Sequence, residues 1–323
     1  MAGNDGRDRG SRPPTKRGGG PTPGGRPPGR GPGGGPGGGK PAGGSRGGPP
    51  GGRPPTGKGG GRGRRDARPA EAPRPTLTKP GNDLLYGRNA VAEAFHGRRT
   101  LERLFIADGV KEDDRLRRLE GAAAERGVPV ERVPRAILDD LFPGGNHQGV
   151  ALAAGPYQYV DFDDLVERSG TVLVLDHLQD PQNFGTLLRA AEASGAAGVV
   201  IAQDRAVEVT PSVVNASAGA VELLAVAQVP NIPRALAGLK ERGRWAIGLD
   251  TGDDAVDLLT TDLPLPAALV VGAEGGGLSP LVRRSCDLIA SLPMRGRIES
   301  LNAATAGAIA LYDLVRREAA AGA

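Results

Sequence analysis

The sequence predicts an α/β protein with a mostly parallel sheet, and three observations lead there. From Thr171 onward, short apolar runs alternate with stretches of helical spacing. That rhythm is expected when strands are linked by helices that cover both faces of a sheet. Ahead of it, residues 84–155 read as a smaller α/β unit. Ahead of that, the composition changes abruptly near residue 80.

The first segment is Gly, Pro and Arg with a few polar residues. Residues 1–60 contain no Val, Ile, Leu, Phe, Tyr or Trp, and the first leucine is Leu77. Such a chain buries too little apolar surface to offset its ordering entropy, so residues 1–80 are expected to be a disordered tail. Residues 1–80 hold 17 Lys+Arg against 4 Asp+Glu, a net of +13. The remaining residues hold 24 against 33, a net of −9, so the overall +4 joins a basic arm to an acidic body. Basic arms contact polyanions, and Arg-Gly-rich segments occur in sequence-tolerant RNA binders. A solubilising tail with no dedicated partner remains the other reading.

Within the first unit, expected over 81–155, Leu85 to Phe95 predicts a helix with its entry turn, because Val91 and Phe95 sit four apart. Leu104–Ala107 predicts a strand and Asp114–Arg126 a helix. Val128–Val133 is strand-like but interrupted by Pro129. Arg135–Phe142 predicts a short helix, and Asn146–Ala154 a polar turn feeding a strand.

Residues 156–170 are expected to link this unit to the next, which spans 171–323. There the predicted strands are Val172–Leu175, Val199–Ile201, Leu223–Val226, Trp245–Leu249, Ala268–Val271 and Leu288–Leu292. The predicted helices are Asn183–Ser194, Pro211–Ala218, Ile232–Arg242, Leu281–Ser285 and Leu301–Arg317. Gly195 is placed to stop the first of these helices and Pro211 to start the second. Asn183, Ser300 and Asn302 are candidate helix caps.

A single cysteine, Cys286, excludes an intrachain disulfide framework and a Cys-cluster metal site, and no metal is expected. No apolar run approaches membrane-spanning length, and the N-terminus carries no apolar secretory core. A cytoplasmic protein with no membrane partner is the expectation.

A nicotinamide-binding or Rossmann-type enzyme would show a G-x-G-x-x-G turn after its first strand. Here Val172–Leu175 leads instead into Asp-His-Leu-Gln-Asp-Pro-Gln-Asn-Phe-Gly, residues 176–185. The glycine-rich turn comes late, at Gly272-Ala-Glu-Gly-Gly-Gly277. Glycines there allow backbone to approach a ligand closely, or simply make a tight turn.

Three segments in order, 183–195, 271–280 and 292–312, resemble the three motifs of the SpoU (TrmH) branch of the SPOUT RNA methyltransferases. The resemblance implies a SPOUT-type knotted parallel-sheet domain that binds S-adenosylmethionine in a bent shape. Gly272, Gly275, Leu292, Met294 and Leu301 would then face the cofactor. Asn183, Arg189, Glu274, Ser300 and Asn302 would form the catalytic set. The family's proposed proton acceptor matches Arg189; a role in orienting phosphate or hydroxyl is physically easier, because guanidinium rarely deprotonates. As an ordinary helix residue, Arg189 would pair with Glu192. The sequence departs from many relatives at Ala304, where a polar side chain is common.

The segments 86–95 and 146–149 resemble the RNA-binding domain that precedes the catalytic domain in enzymes methylating guanosine ribose in 23S rRNA. Arg88 and His147 are the expected RNA contacts; as structural residues they would be a solvated helix arginine and a turn histidine. Aromatics are scarce, so shape and phosphate contacts are expected to dominate over base stacking. The resemblance further implies a homodimer. The expected activity is 2′-O-methylation of RNA, first of all a guanosine of 23S rRNA. A tRNA or another rRNA nucleotide as substrate, and a catalytically silent RNA-binding or ribosome-assembly protein, stand as alternatives.

Overall fold

Two sheets, each flanked by helices, make up the described part of the chain. The computed structural model describes residues 77–204 and 206–322, so nearly all of the predicted tail lies outside the described residues.

The first unit is built from β1 (Asp83–Tyr86), α1 (Arg88–Ala94), β2 (Leu101–Ala107), α2 (Asp114–Glu125), β3 (Val130–Val133), α3 (Arg135–Leu141) and β4 (Val150–Ala154). The sheet order is β1-β4-β2-β3, antiparallel except between β2 and β3. The predicted helix from Leu85 is corrected here: Leu85 and Tyr86 belong to β1, and the helix starts only at Arg88. The period decides it. Leu85 points into one apolar cluster while Leu84 and Tyr86 join another on the opposite face, which is strand behaviour. Gly87, at φ 87°, then turns the chain into α1. Pro129 does interrupt its segment, and β3 begins just after it, at the sheet's edge.

The second unit contains α4 (Phe162–Val166), β5 (Val172–Leu175), α5 (Pro181–Ser194), β6 (Gly198–Ala202), α6 (Pro211–Ala216), a 3-10 turn (Ala220–Glu222), β7 (Val226–Val229) and α7 (Ile232–Glu241). It continues with β8 (Trp245–Leu249), β9 (Val256–Asp257), β10 (Ala267–Val271), α8 (Pro280–Ser285), β11 (Leu288–Ser291) and α9 (Ala303–Ala321). All pairings within its sheet are parallel, in the order β7-β6-β5-β10-β8-β11-β9. Alternate residues of β5 serve opposite faces: Leu173 and Leu175 pack with α5 and α9, Val172 and Val174 with α4 and α7. The predicted strand Leu223–Val226 starts three residues late, because Leu223 closes the 3-10 turn and is exposed. Helix α4, in the segment read as a linker, was not foreseen.

The strand order positions the site. From β5 the chain builds outward through β6 and β7, then crosses to the other side for β8, and β10 inserts between β5 and β8. Ligands in open α/β sheets bind beyond the carboxyl ends of strands where the order reverses. This order is compatible with the knotted arrangement implied by the resemblance.

Candidate active site

The cavity found beyond the carboxyl ends of β8, β10 and β11 measures about 570 Å³. Its wall includes Gly272, Glu274 and Gly275 after β10, Leu292 and Met294 after β11, and Ser300, Leu301 and Asn302 before α9. Every residue expected at the cofactor therefore lines one space, although the three segments are distant in sequence.

The turn after β10 closes on itself. Ala273 and Gly277 exchange backbone hydrogen bonds at 3.2 and 3.1 Å, which pushes Glu274 outward. Gly272 is required by close approach: a Cβ there would stand 2.2 Å from the Gly277 carbonyl oxygen. The segment before α9 ends in a cap, where the Asn302 side-chain oxygen accepts from the N–H groups of Ala304 and Thr305 at 2.9 and 3.2 Å. Ser300, the other proposed cap, is exposed at the cavity with no hydrogen bond among the described residues. Ala304 is buried under its cap.

Asn183 is not the cap of α5. Asp180 is, accepting from Gln182 and Asn183 N–H at 3.3 and 2.9 Å, with Pro181 in the first turn. Relieved of capping, the Asn183 side chain reaches the other two segments. Its Nδ2 donates to Glu274 Oε2 at 2.8 Å, and its Oδ1 accepts from Asn302 Nδ2 at 2.9 Å. Asn302 Nδ2 also donates to Glu274 Oε1 at 3.3 Å. Asn302 thus spends both donors and both acceptor positions inside the protein. It also lines the cavity. Hydrogen bonds to a charged acceptor contribute about 1.5–3 kcal/mol, and the exposure of Glu274 puts this pair toward the lower end.

Arg189 stands apart. It is exposed on α5, lies outside the cavity wall, and forms no ion pair with Glu192. His177, at the end of β5, adopts φ 58° and holds the buried Asp176 carboxylate through Nδ1 at 2.5 Å. Asp176 also accepts from Ser279 N–H at 2.7 Å, which ties the end of β5 to the start of α8. Cys286 is half-buried, and burial pushes its thiol up to about 12, consistent with a packing role.

Sequence reasoning missed Leu249, Asp250 and Thr251, which close the cavity after β8. An acidic residue directly after a parallel strand was the available signal. Asp250 is committed to structure, pairing with Arg283 at 3.0 Å and accepting Thr251 N–H at 2.8 Å.

The two expected RNA contacts both have partners within the protein. His147 is 4% exposed, and its Nδ1 accepts from Gly149 N–H at 3.1 Å. The proton therefore sits on Nε2, which donates to Asp139 at 2.8 Å, leaving no ring nitrogen free. Arg88 is largely buried and pairs with Asp113 at 2.5 Å. Asp113 caps α2, and the Leu116 N–H together with Arg88 holds its carboxyl below the usual range.

Known proteins place this arrangement. Residues 170–312 match the SpoU rRNA methylase family, and residues 84–160 match the RNA 2′-O ribose methyltransferase substrate-binding family. The Bacillus subtilis protein YacO, named for the TrmH family of tRNA/rRNA methyltransferases, is 38% identical over 242 residues, 73% of this chain and 96% of YacO. The SpoU methyltransferase AviRb of Streptomyces viridochromogenes, solved in complex with AdoMet, is 26% identical. It superposes with a TM-score of 0.62 over 74% of this chain and 92% of AviRb. An AdoMet-bound rRNA methyltransferase of Sinorhizobium meliloti shares the fold at 24% identity, with a TM-score of 0.62 over 74% of this chain and 88% of that one. With both family models matched in order and YacO spanned almost end to end, the chain belongs to the SpoU (TrmH) family of RNA methyltransferases.

Proposed function

We propose that the protein transfers a methyl group from S-adenosylmethionine to a ribose 2′-oxygen of RNA in the cytoplasm, first of all at a guanosine of 23S rRNA. The observation that carries this reading is that Gly272, Gly275, Leu292, Met294 and Leu301 wall one and the same cavity. When bound there, S-adenosylmethionine supplies an electrophilic methyl group on a sulfonium. A ribose hydroxyl is a weak nucleophile, so the protein must align it and provide for loss of its proton. Ser300 offers an uncommitted hydroxyl at the cavity mouth. Arg189 would orient the RNA backbone through charge-assisted hydrogen bonds. The Asn183–Glu274–Asn302 bridge holds the three walls in register rather than touching the ribose.

Arg189 lies outside the cavity of its own chain, which favours a homodimer in which a second chain brings its Arg189 to the site. Exposed Ile309 and Tyr312 on α9, beside α5, offer apolar surface for that pairing. The substrate-binding family match supports RNA as partner. The first unit separates this layout from a catalytic domain alone, and supports rRNA over tRNA. The name of YacO covers both, so tRNA stands as the second reading.

The test is transfer of labelled methyl from S-adenosylmethionine to unmodified 23S rRNA and to tRNA, with the product nucleoside identified. Label in 2′-O-methylguanosine of 23S rRNA is expected. Label in tRNA alone would overturn the substrate; no label in either RNA despite cofactor binding would point to an assembled particle or another RNA, and loss of cofactor binding would favour a silent RNA-binding protein.

A further inference from the structure

The two units meet at a buried charge. Arg99 lies in the turn between α1 and β2 and is 1% exposed. Its Nε donates to both oxygens of Glu222, at 2.8 and 3.1 Å. Glu222 ends the 3-10 turn of the other unit and is itself buried. Arg99 Nη1 donates to the Gly155 carbonyl at 3.0 Å and pairs with the Asp83 carboxylate. The guanidinium carbon stands 5.2 Å from the centre of the Tyr157 ring. Tyr157 in turn donates its hydroxyl to the carbonyls of Val221 and Leu224, both at 3.2 Å.

The segment between the units is strapped down rather than loose. Tyr159 Oη accepts from Val209 N–H at 2.9 Å, and Val160 N–H donates to the Val226 carbonyl at 2.9 Å. Asn215 donates its side-chain amide to the Tyr86 carbonyl at 3.1 Å. One apolar cluster runs through the joint, with Leu85, Val91 and Phe95 on one side and Val213, Val214 and Val221 on the other.

Apolar contact alone would hold these surfaces together but would tolerate sliding. A buried ion pair is a poor substitute for apolar packing as a source of stability, and its best-attested contribution is a unique geometry. The planar fork of arginine makes that geometry strict, because its donors point in fixed directions. Here Nε and Nη1 bond acceptors from both units at once, while Nη2 is buried with no partner among the described residues.

We infer that Arg99 is a positioning residue that holds the RNA-binding unit in one orientation on the methyltransferase unit, so that the enzyme selects folded RNAs whose gripped element and target ribose lie at one fixed separation. This rests on the methyltransferase reading above. It adds a specificity device that resides in neither the cofactor cavity nor the RNA surface.

The test compares the full chain with Arg99→Met/Glu222→Leu, which removes the charges and keeps apolar volume. A second variant is Gly97→Cys/Arg99→Met/Glu222→Cys. A Cβ at position 97 would stand 3.2 Å from Glu222 Cβ, a few tenths of an ångström short of the usual range of about 3.5–4.5 Å for a disulfide, so the backbone must give slightly. Oxidation therefore staples the joint and reduction releases it. Solution scattering reads the orientation. Methyl transfer is measured on unmodified 23S rRNA and on a short hairpin carrying the target nucleotide.

The released forms should scatter as more extended particles and keep their S-adenosylmethionine affinity. They should raise KM for 23S rRNA by about tenfold or more with kcat on the hairpin unchanged, and oxidation of the staple should restore KM. Unchanged scattering, an equal loss on both RNAs, or a KM that the staple does not repair would each overturn the proposal. If the double variant does not fold, the stapled variant decides alone. If the unaltered chain methylates no RNA, the function reading fails. The joint is then judged by scattering together with filter binding of 23S rRNA, where loss on release and recovery on stapling support it and unchanged binding overturns it.

Discussion

Asn302 donates its side-chain amide to the side-chain oxygen of Asn183 at 2.9 Å, joining residues 119 apart in sequence. Both also bond Glu274, so the three motif segments close into one hydrogen-bonded triangle. Asn302→Ala removes the cap of α9 as well as this bridge. Loss of the cap alone costs about 1 kcal/mol. The variant should melt earlier and bind S-adenosylmethionine more weakly, as read by calorimetry. An unchanged cofactor affinity would mean that the bridge does not shape the cavity.

Arg189 makes the opposite prediction. It supports no neighbour among the described residues, so Arg189→Ala should keep its melting temperature and its cofactor affinity. Methyl transfer should fall by about 100-fold or more if the side chain acts on the reacting RNA. Retained turnover would remove it from the mechanism.

His147→Ala should destabilise the first unit by about 1–3 kcal/mol, because Asp139 and the Gly149 N–H both lose their partner. RNA affinity measured well below the melting point should change little. A large loss of affinity without a loss of stability would restore His147 as an RNA contact.

Cys286 supplies a pH test. Its thiol is pushed up to about 12 by burial, so the neutral form persists below that value. At pH 8 the thiolate is a very small minority. A disulfide reagent should therefore react slowly with the folded protein and fast after denaturation. Rapid labelling of the native chain would contradict the burial.

Much of the catalytic unit was legible because its strands are short apolar runs bounded by turn residues, as Val172–Leu175 and Trp245–Leu249 show. The cavity residues were legible only through the motif resemblance. Nothing in local spacing places Leu292 beside Gly272. Leu85 was misread because a short apolar run ahead of a helix carries the same residues in either state, and only the sheet partner β4 decides. Asn183 was misread as a cap because the helix starts two residues earlier, at Pro181, with Asp180 accepting the Gln182 and Asn183 N–H groups. Arg99 gave no sequence signal, since its partners Asp83 and Glu222 are gathered by tertiary packing alone.

The central claim is that the three segments form the S-adenosylmethionine site, and calorimetric titration of the full chain and of Gly272→Ala with S-adenosylmethionine tests it most directly. The added methyl would fall against the Gly277 carbonyl and displace the turn that walls the cavity. Stoichiometric binding by the full chain and loss of binding by the folded variant are expected. Absence of binding in the full chain, or equal binding in both, would contradict it.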